Sequence, residues 1–335
     1  MKRILFIGGT GYTGGPILSY FIQRQRDDPT SLDITALIRS PLKVERLRAL
    51  NLRLNVVHGS HEDADLVERL AADADVVLSL ADSDYLPAAQ AVLRGLKQRF
   101  ETTGAKSILI HLSGVGCLAD NAQGMFASST IYTDMDFTRI EALPATQPHR
   151  KVDLAIVDAD SEGYVLAYIV LPSMVYGTPV GILADAGVQN PNNRWFETFI
   201  RASFERGAAG LVGEGKNCIG NVHVTEVADL VIILYDAIRS KATIGHGREG
   251  YYFADNGDLP FEEIAKVVEI GAGPRRAFTW SEIHEVRPGQ LNPLPFFGNN
   301  LRSRAEKART LGWNPVKTNE DFLAAAKIQV EHWKA

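Results

Sequence analysis

The chain has 335 residues, with 45% hydrophobic and 22% charged side chains, a globular composition that excludes disordered, fibrous and coiled-coil classes. Lys and Arg total 35 against 40 Asp and Glu, a net charge of -5, and no basic tract could neutralise a row of phosphates, so nucleic acid is not an expected partner. Cys117 and Cys218 form no disulfide or zinc pattern, and the most apolar stretch, 165–175, is broken by Pro172 well short of the ~18–20 residues that span a bilayer. With no signal-peptide pattern after Met1, these features predict a cytoplasmic protein without a membrane partner.

Short apolar runs rich in Val, Ile and Leu occur at 4–7, 34–38, 54–57, 76–80, 107–112 and 165–171, as expected of strands buried on both faces. Helical segments are expected between them at 14–25, 41–50, 63–72, 87–103 and 148–159, several opening near Pro or Asp. After Pro172 the texture changes to a Gly-, Pro- and Asn-rich loop over 177–194. A helix at 195–205, a strand at 221–224 and a long apolar helix at 227–240 follow, then helical segments at 261–269, 303–311 and 319–332. The alternation predicts an α/β protein, a Rossmann-type doubly wound parallel sheet with a smaller, mostly helical C-terminal substrate region. Residues 1–172 form the expected nucleotide domain, to which 221–258 return. Residues 173–220 and 259–335 form the expected substrate region.

Gly8-Gly9-Thr10-Gly11-Tyr12-Thr13-Gly14 follows the first strand and opens the first helix. Glycines at 8, 11 and 14 let the chain turn tightly, let backbone amides approach a pyrophosphate and let the helix pack close to the strand, so Gly8, Thr10, Gly11, Tyr12, Thr13 and Gly14 are candidate dinucleotide contacts. The second strand ends at Arg39-Ser40, with Lys43 one helical turn on. A cation there pairs with the extra phosphate of NADP where an acidic residue would bind the ribose of NAD, so Arg39, Ser40 and Lys43 predict NADP over NAD.

With this turn, three further segments make the chain resemble the extended and atypical short-chain dehydrogenase/reductase superfamily, with relatives among NAD-dependent epimerases/dehydratases and NmrA-like proteins. They are 171–177 (LPSMVYG), 221–228 (NVHVTEVA) and 304–315 (RAEKARTLGWNP). The resemblance implies further cofactor contacts from Leu80, Ala81, Pro172 and Val175. It also implies a Ser or Thr after the fifth strand and a Tyr-x-x-x-Lys pair beside the nicotinamide. Ser113, in the run 107–116 (SILIHLSGVG), occupies the serine position, with Gly114 and Gly116 leaving room for a ligand.

The pair departs from the pattern. Tyr132 is followed four residues later by Asp136, and a carboxylate beside a tyrosine opposes the phenolate that a base needs. An alternative alignment uses the helix at 148–159, which brings His149 near the lysine position, with Asp153 four residues on to orient the imidazole. Candidate catalytic residues are therefore Ser113, Tyr132 as a neutral donor, and His149. His58 and His61 lack a third ligand nearby, His223 resembles a structural position, and no metal is expected. Arg302 and Arg304 are candidates to hold an anionic substrate.

Two readings follow. The first is an NADP-dependent oxidoreductase acting on a small carbonyl or hydroxyl compound, as a monomer or homodimer. The second is a lyase, an isomerase or a nucleotide-sensing NmrA-like regulator on the same fold.

Overall fold

The computed structural model describes residues 2–284, 292 and 294–334; within the expected substrate region, residues 285–291 and 293 lie outside the described residues. Seven strands make the central sheet: β1 (Lys2–Ile7), β2 (Leu32–Ile38), β3 (Leu54–His58), β4 (Val76–Ser79), β5 (Ser107–Leu112), β6 (Val165–Pro172) and β7 (Tyr251–Ala254). Their order is β3-β2-β1-β4-β5-β6-β7, and every pairing is parallel. The registers Ile4↔Ile34 and Ile4↔Val76 place β1 between β2 and β4, and the order reverses between β1 and β4. Open α/β sheets bind ligands outside the carboxyl ends of the strands at such a switch point. The six early apolar runs all form strands, and the seventh strand comes from the segment expected to return to the nucleotide domain.

Helices α1 (Gly14–Asp27), α2 (Pro41–Ala49), α3 (Ala64–Ala72), α4 (Leu86–Thr103) and α5 (Arg150–Ser161) cross between strands. Local chemistry sets their ends. Ser40 caps α2 by accepting from the Lys43 amide with Pro41 in the first turn, and Asp63 caps α3 through the Leu66 amide. Helix α4 stops at Gly104, whose φ of 69° is the left-handed end that glycine adopts without steric penalty.

The later half adds α6 (Arg194–Glu205), α7 (Val224–Arg239), α8 (Phe261–Ala272) and α9 (Asn319–Lys334). Helix α7 packs with the sheet, and its Tyr235 ring meets Phe21 of α1 at 4.8 Å. Helices α6, α8 and α9 enclose a second hydrophobic cluster built around Phe196, Phe199, Phe261, Phe297 and Phe322. A three-stranded ribbon of Asp258–Pro260, Cys218–His223 and Met174–Tyr176 lies beside it. The helix expected over 303–311 divides into a two-residue strand, Ser303–Arg304, and the short helix Glu306–Thr310. The loop expected over 177–194 contains one helical turn, Ile182–Asp185. No helix among the described residues is long and apolar enough to cross a membrane.

Candidate active site

The glycine turn leaves the sheet at its switch point. Gly8 has φ of 90°, and a Cβ there would lie 2.6 Å from the Leu80 carbonyl carbon and 2.7 Å from the Ala81 nitrogen, so only glycine lets β1 and the end of β4 approach this closely. The Gly11 amide donates to the Gly8 carbonyl (2.9 Å), and a Cβ on Gly11 would meet only that carbonyl, at 3.1 Å, which leaves its other side open. This open concavity at the start of α1 fits a pyrophosphate. Gly15 has a different reason: a Cβ there would overlap the buried side chain of Gln189.

Gln189 belongs to a strap, residues 177–193, that crosses the turn. The Tyr12 hydroxyl donates to the Gly177 carbonyl (2.6 Å), Gln189 Nε2 to the Tyr12 carbonyl (3.0 Å), and the Asn190 amide to the Thr10 carbonyl (3.1 Å). Lys43 Nζ reaches both the Thr10 carbonyl (3.2 Å) and Asn190 Oδ1 (2.6 Å). Burial pushes the Tyr12 phenol well above its ordinary range, and burial with Arg39 nearby pulls Lys43 down. Arg39 stands 71% exposed, with Glu62 4.0 Å from its guanidinium. Pro172 and Val175 follow at the end of β6, where the Val175 carbonyl accepts from Asn193 Nδ2 (2.5 Å).

The candidate chemical groups collect at the carboxyl ends of β4 and β5. Ser113 is buried, its amide donating to the Val170 carbonyl (2.8 Å). His149 stands immediately before α5 with φ of 68°, a left-handed conformation uncommon outside glycine, and its amide donates to Asp84 Oδ1 (2.8 Å). Its Nδ1 lies 3.1 Å from the Asp84 carboxylate and 3.0 Å from Ser83 Oγ. Burial opposes ionisation of Asp84, but the His149 contacts hold its carboxyl below the usual value. A carboxylate only accepts, so Nδ1 carries the proton and Nε2 is left as the basic nitrogen. Nε2 faces the turn after β5: Cβ atoms on Gly114 and Gly116 would lie 3.2 and 2.8 Å from it. The space those glycines leave is filled by an imidazole of the chain itself.

This corrects two sequence expectations. The carboxylate that holds the imidazole is Asp84, from the loop after β4, and not Asp153. Nor do Tyr132 and Asp136 share a helical face, because Tyr132 lies in a two-residue strand paired with Ser303 and Asp136 caps the short helix Phe137–Glu141 through the Arg139 amide. The Tyr132 ring packs under the Arg139 guanidinium, 4.8 Å from its centroid, and no hydrogen bond among the described residues joins it to Ser113 or His149. Arg302 and Arg304 are also engaged within the fold. Arg302 donates to Asp258 (2.5 Å) and to the Ser128 carbonyl (2.6 Å), and Arg304 lies 3.6 Å from Asp258. His223 caps α7 through the Thr225 amide.

Two buried residues escaped the sequence reading as site groups. His111 of β5 contacts Ser79 Oγ at 3.4 Å, and burial drives its pKa down to about 3, helped by nearby His149. Arg150 is fully buried and donates from Nη1 to the Tyr251 hydroxyl (2.9 Å). The alternation of β5 places His111 and Ser113 on one face, which is the sequence signal that could have found the histidine.

The stretch 80–84 joins the two halves of the site. Leu80 and Ala81 touch the glycine turn, and Ser83 and Asp84 hold His149. The fold, a doubly wound parallel sheet with a helical C-terminal region, is shared with solved structures. Similar solved structures are a dTDP-glucose 4,6-dehydratase from Bacillus anthracis in complex with NAD (TM-score 0.62, 16% identity, 100% of this chain and 97% of that one) and a UDP-glucuronic acid 4-epimerase from Bacillus cereus (TM-score 0.62, 15% identity, 99% of each). No family model matches the chain. It is 25% identical to a protein named oxidase ucsJ from Acremonium sp, across 94% of this chain and 93% of that one. It is 22% identical to an uncharacterized protein, C2A9.02, of Schizosaccharomyces pombe, across 94% of this chain and 95% of that one.

Proposed function

We propose that this protein is an NADP-dependent oxidoreductase acting on a small hydroxyl or carbonyl compound. The observation that carries the reading is the joining, through residues 80–84, of an open glycine turn to a carboxylate-held histidine beside Ser113. Gly8, Thr10, Gly11, Thr13 and Gly14 would hold the pyrophosphate at the start of α1, and Arg39 with Lys43 the adenosine phosphate. Bound there, a nicotinamide dinucleotide supplies or accepts hydride. Ser113 holds the reacting oxygen by a hydrogen bond. His149 Nε2 takes or returns its proton while Asp84 stabilises the imidazolium, a role that needs little pKa tuning near neutrality. The second hydrophobic cluster and the strap would form the substrate side. The test is calorimetric titration with NADPH and NADH, then a panel of small carbonyl and hydroxyl compounds assayed by the absorbance of the reduced nicotinamide. Failure of both dinucleotides to bind overturns the reading.

One observation favours a non-redox lyase or isomerase as the second reading. The strap is tied to the glycine turn by Tyr12, Lys43 and Gln189, contacts that would retain a dinucleotide between turnovers. A reaction with no net redox change reuses its cofactor in place. Nucleotide that survives extensive dialysis, with no net change in its oxidation state during turnover, would favour this reading.

A further inference from the structure

The Lys43 ammonium is held by oxygens that carry no charge. It donates to the Thr10 carbonyl (3.2 Å) and to Asn190 Oδ1 (2.6 Å), and no carboxylate among the described residues lies within ion-pair distance of it. The charge it feels is that of Arg39, a second cation, whose own carboxylate neighbour Glu62 stands 4.0 Å away. Two positive charges with so little compensation favour an anion beside them. An ammonium has three donors, so one N–H of Lys43 is left for that anion.

Asn190 closes a ring of hydrogen bonds around the ammonium. Its side chain accepts from Lys43, its amide donates to the Thr10 carbonyl (3.1 Å), and the same carbonyl accepts from Lys43. The glycine turn, α2 and the strap therefore meet at one charged group. Farther along α2, Arg46 Nη1 donates to the Gly187 carbonyl (2.9 Å), a second tie between this helix and the strap.

We propose, on the reading of the nucleotide site given above, that Asn190 is a specificity-determining residue through which the strap reads the adenosine phosphate of the dinucleotide. A phosphate that accepts the third N–H keeps Lys43 charged and in place, so its bonds to Thr10 and Asn190 act as charge-assisted members of one network. Burial, with Arg39 adding to it, pulls the Lys43 pKa below its ordinary value, and a phosphate opposes that fall. NADP thus fastens the strap across the glycine turn, whereas NAD, with a hydroxyl in place of the phosphate, does not. The effect is reciprocal: what the phosphate adds to closure of the strap, the closed strap adds to phosphate affinity.

The test needs no turnover. Adenosine 2′,5′-bisphosphate and 5′-AMP differ only in the phosphate concerned, and each is added at saturation to the full chain while hydrogen exchange is followed over 177–193. The bisphosphate should slow exchange there at least threefold more than 5′-AMP, and Asn190→Ala should remove that difference. In calorimetry Asn190→Ala should lose about fivefold in affinity for the bisphosphate, the scale of one net hydrogen bond, with 5′-AMP unchanged. Asn190→Asp separates this role from a merely structural tie. Its carboxylate pairs with Lys43 and slows strap exchange without nucleotide, yet competes with the phosphate, so bisphosphate affinity should fall further than in Asn190→Ala. Equal loss of both affinities in Asn190→Ala, parental bisphosphate affinity in Asn190→Asp, or faster strap exchange with the bisphosphate than with 5′-AMP overturns the inference and leaves the functional reading intact. A parent chain that binds neither NADPH nor NADH overturns that reading instead.

Discussion

The Lys43 ammonium joins two distant parts of the proposed nucleotide site: it reaches Asn190 Oδ1 at 2.6 Å in the strap and the Thr10 carbonyl at 3.2 Å in the glycine turn. A lysine expected to meet a phosphate thus also fastens the segment that crosses it. Asn190→Ala should loosen the strap and speed nucleotide release by roughly three- to tenfold, the scale of one net hydrogen bond at ~1 kcal/mol. Stopped-flow displacement of bound NADPH checks this. A release rate equal to the parent's would show that the strap does not hold the nucleotide.

Arg39 is the exposed cation at the end of β2, with Glu62 4.0 Å away. Charge-assisted contact to a phosphate is worth ~1.5–3 kcal/mol, so Arg39→Ala should reduce the preference for NADP over NAD by roughly tenfold to a hundredfold. Glu62→Gln should strengthen NADP binding modestly by removing a nearby negative charge. Calorimetry that finds equal affinity for the two dinucleotides in the parent protein would defeat this prediction.

The glycines of the turn separate in their duties. Gly11 opens to the concavity, so Gly11→Asp should abolish nucleotide binding by placing a carboxylate where the proposed pyrophosphate would sit, with folding largely kept. Gly15 is filled against by Gln189, so Gly15→Ala should displace the strap without adding charge to the site. Circular dichroism with nucleotide titration distinguishes the two. Parental binding by folded Gly11→Asp would place the nucleotide elsewhere.

Much of this was readable from local pattern. The strands of a parallel sheet are buried on both faces and read as continuous apolar runs, and the glycine turn sits between a strand and a helix with little ambiguity. The site's working pairs were not readable, because they join distant positions. Asp84 and His149 are 65 residues apart, and the left-handed backbone at His149 starts the expected helix two residues later than the apolar periodicity suggests. Tyr132 and Asp136 look like a helical pair only if the intervening residues are helical. A two-residue strand pairing with Ser303 overrides that spacing.

Buried ionisable groups give the fold opposing pH dependences. Burial lowers the pKa of His111 from 6.5 to about 3, so between those values the unfolded chain binds a proton that the native chain refuses, and stability falls with acidification. Asp255 runs the other way. Burial raises its pKa from 3.8 to about 7 despite the Ser173 hydroxyl at 2.6 Å, so its ionisation lowers stability as the pH rises through this window. Asp255→Asn should therefore improve in Tm relative to the parent at about pH 8 compared with about pH 5. Thermal melts at the two pH values check the sign, and a pH-independent difference would contradict it.

The Asp84 and His149 pair gives the sharpest test of the chemistry. Its backbone and imidazole functions must be separated, because Asp84 also accepts the amide hydrogen that holds His149 in its left-handed conformation. Asparagine tolerates that conformation, so His149→Asn should fold with a near-parental Tm while losing the group that exchanges a proton. Removing a positioned acid or base typically slows reaction by ~100- to 10,000-fold, and the loss should appear in kcat with KM little changed. Asp84→Asn keeps the shape but replaces the carboxylate, so the imidazole loses the acceptor that fixes its tautomer and stabilises its charged form. Its rate should fall by less than that of His149→Asn, and the double variant should be no slower than His149→Asn alone, because the two residues act as one unit. Rates that multiply independently in the double variant, or a His149→Asn enzyme with parental kcat, would remove the histidine from the reaction and leave Ser113 as the remaining donor.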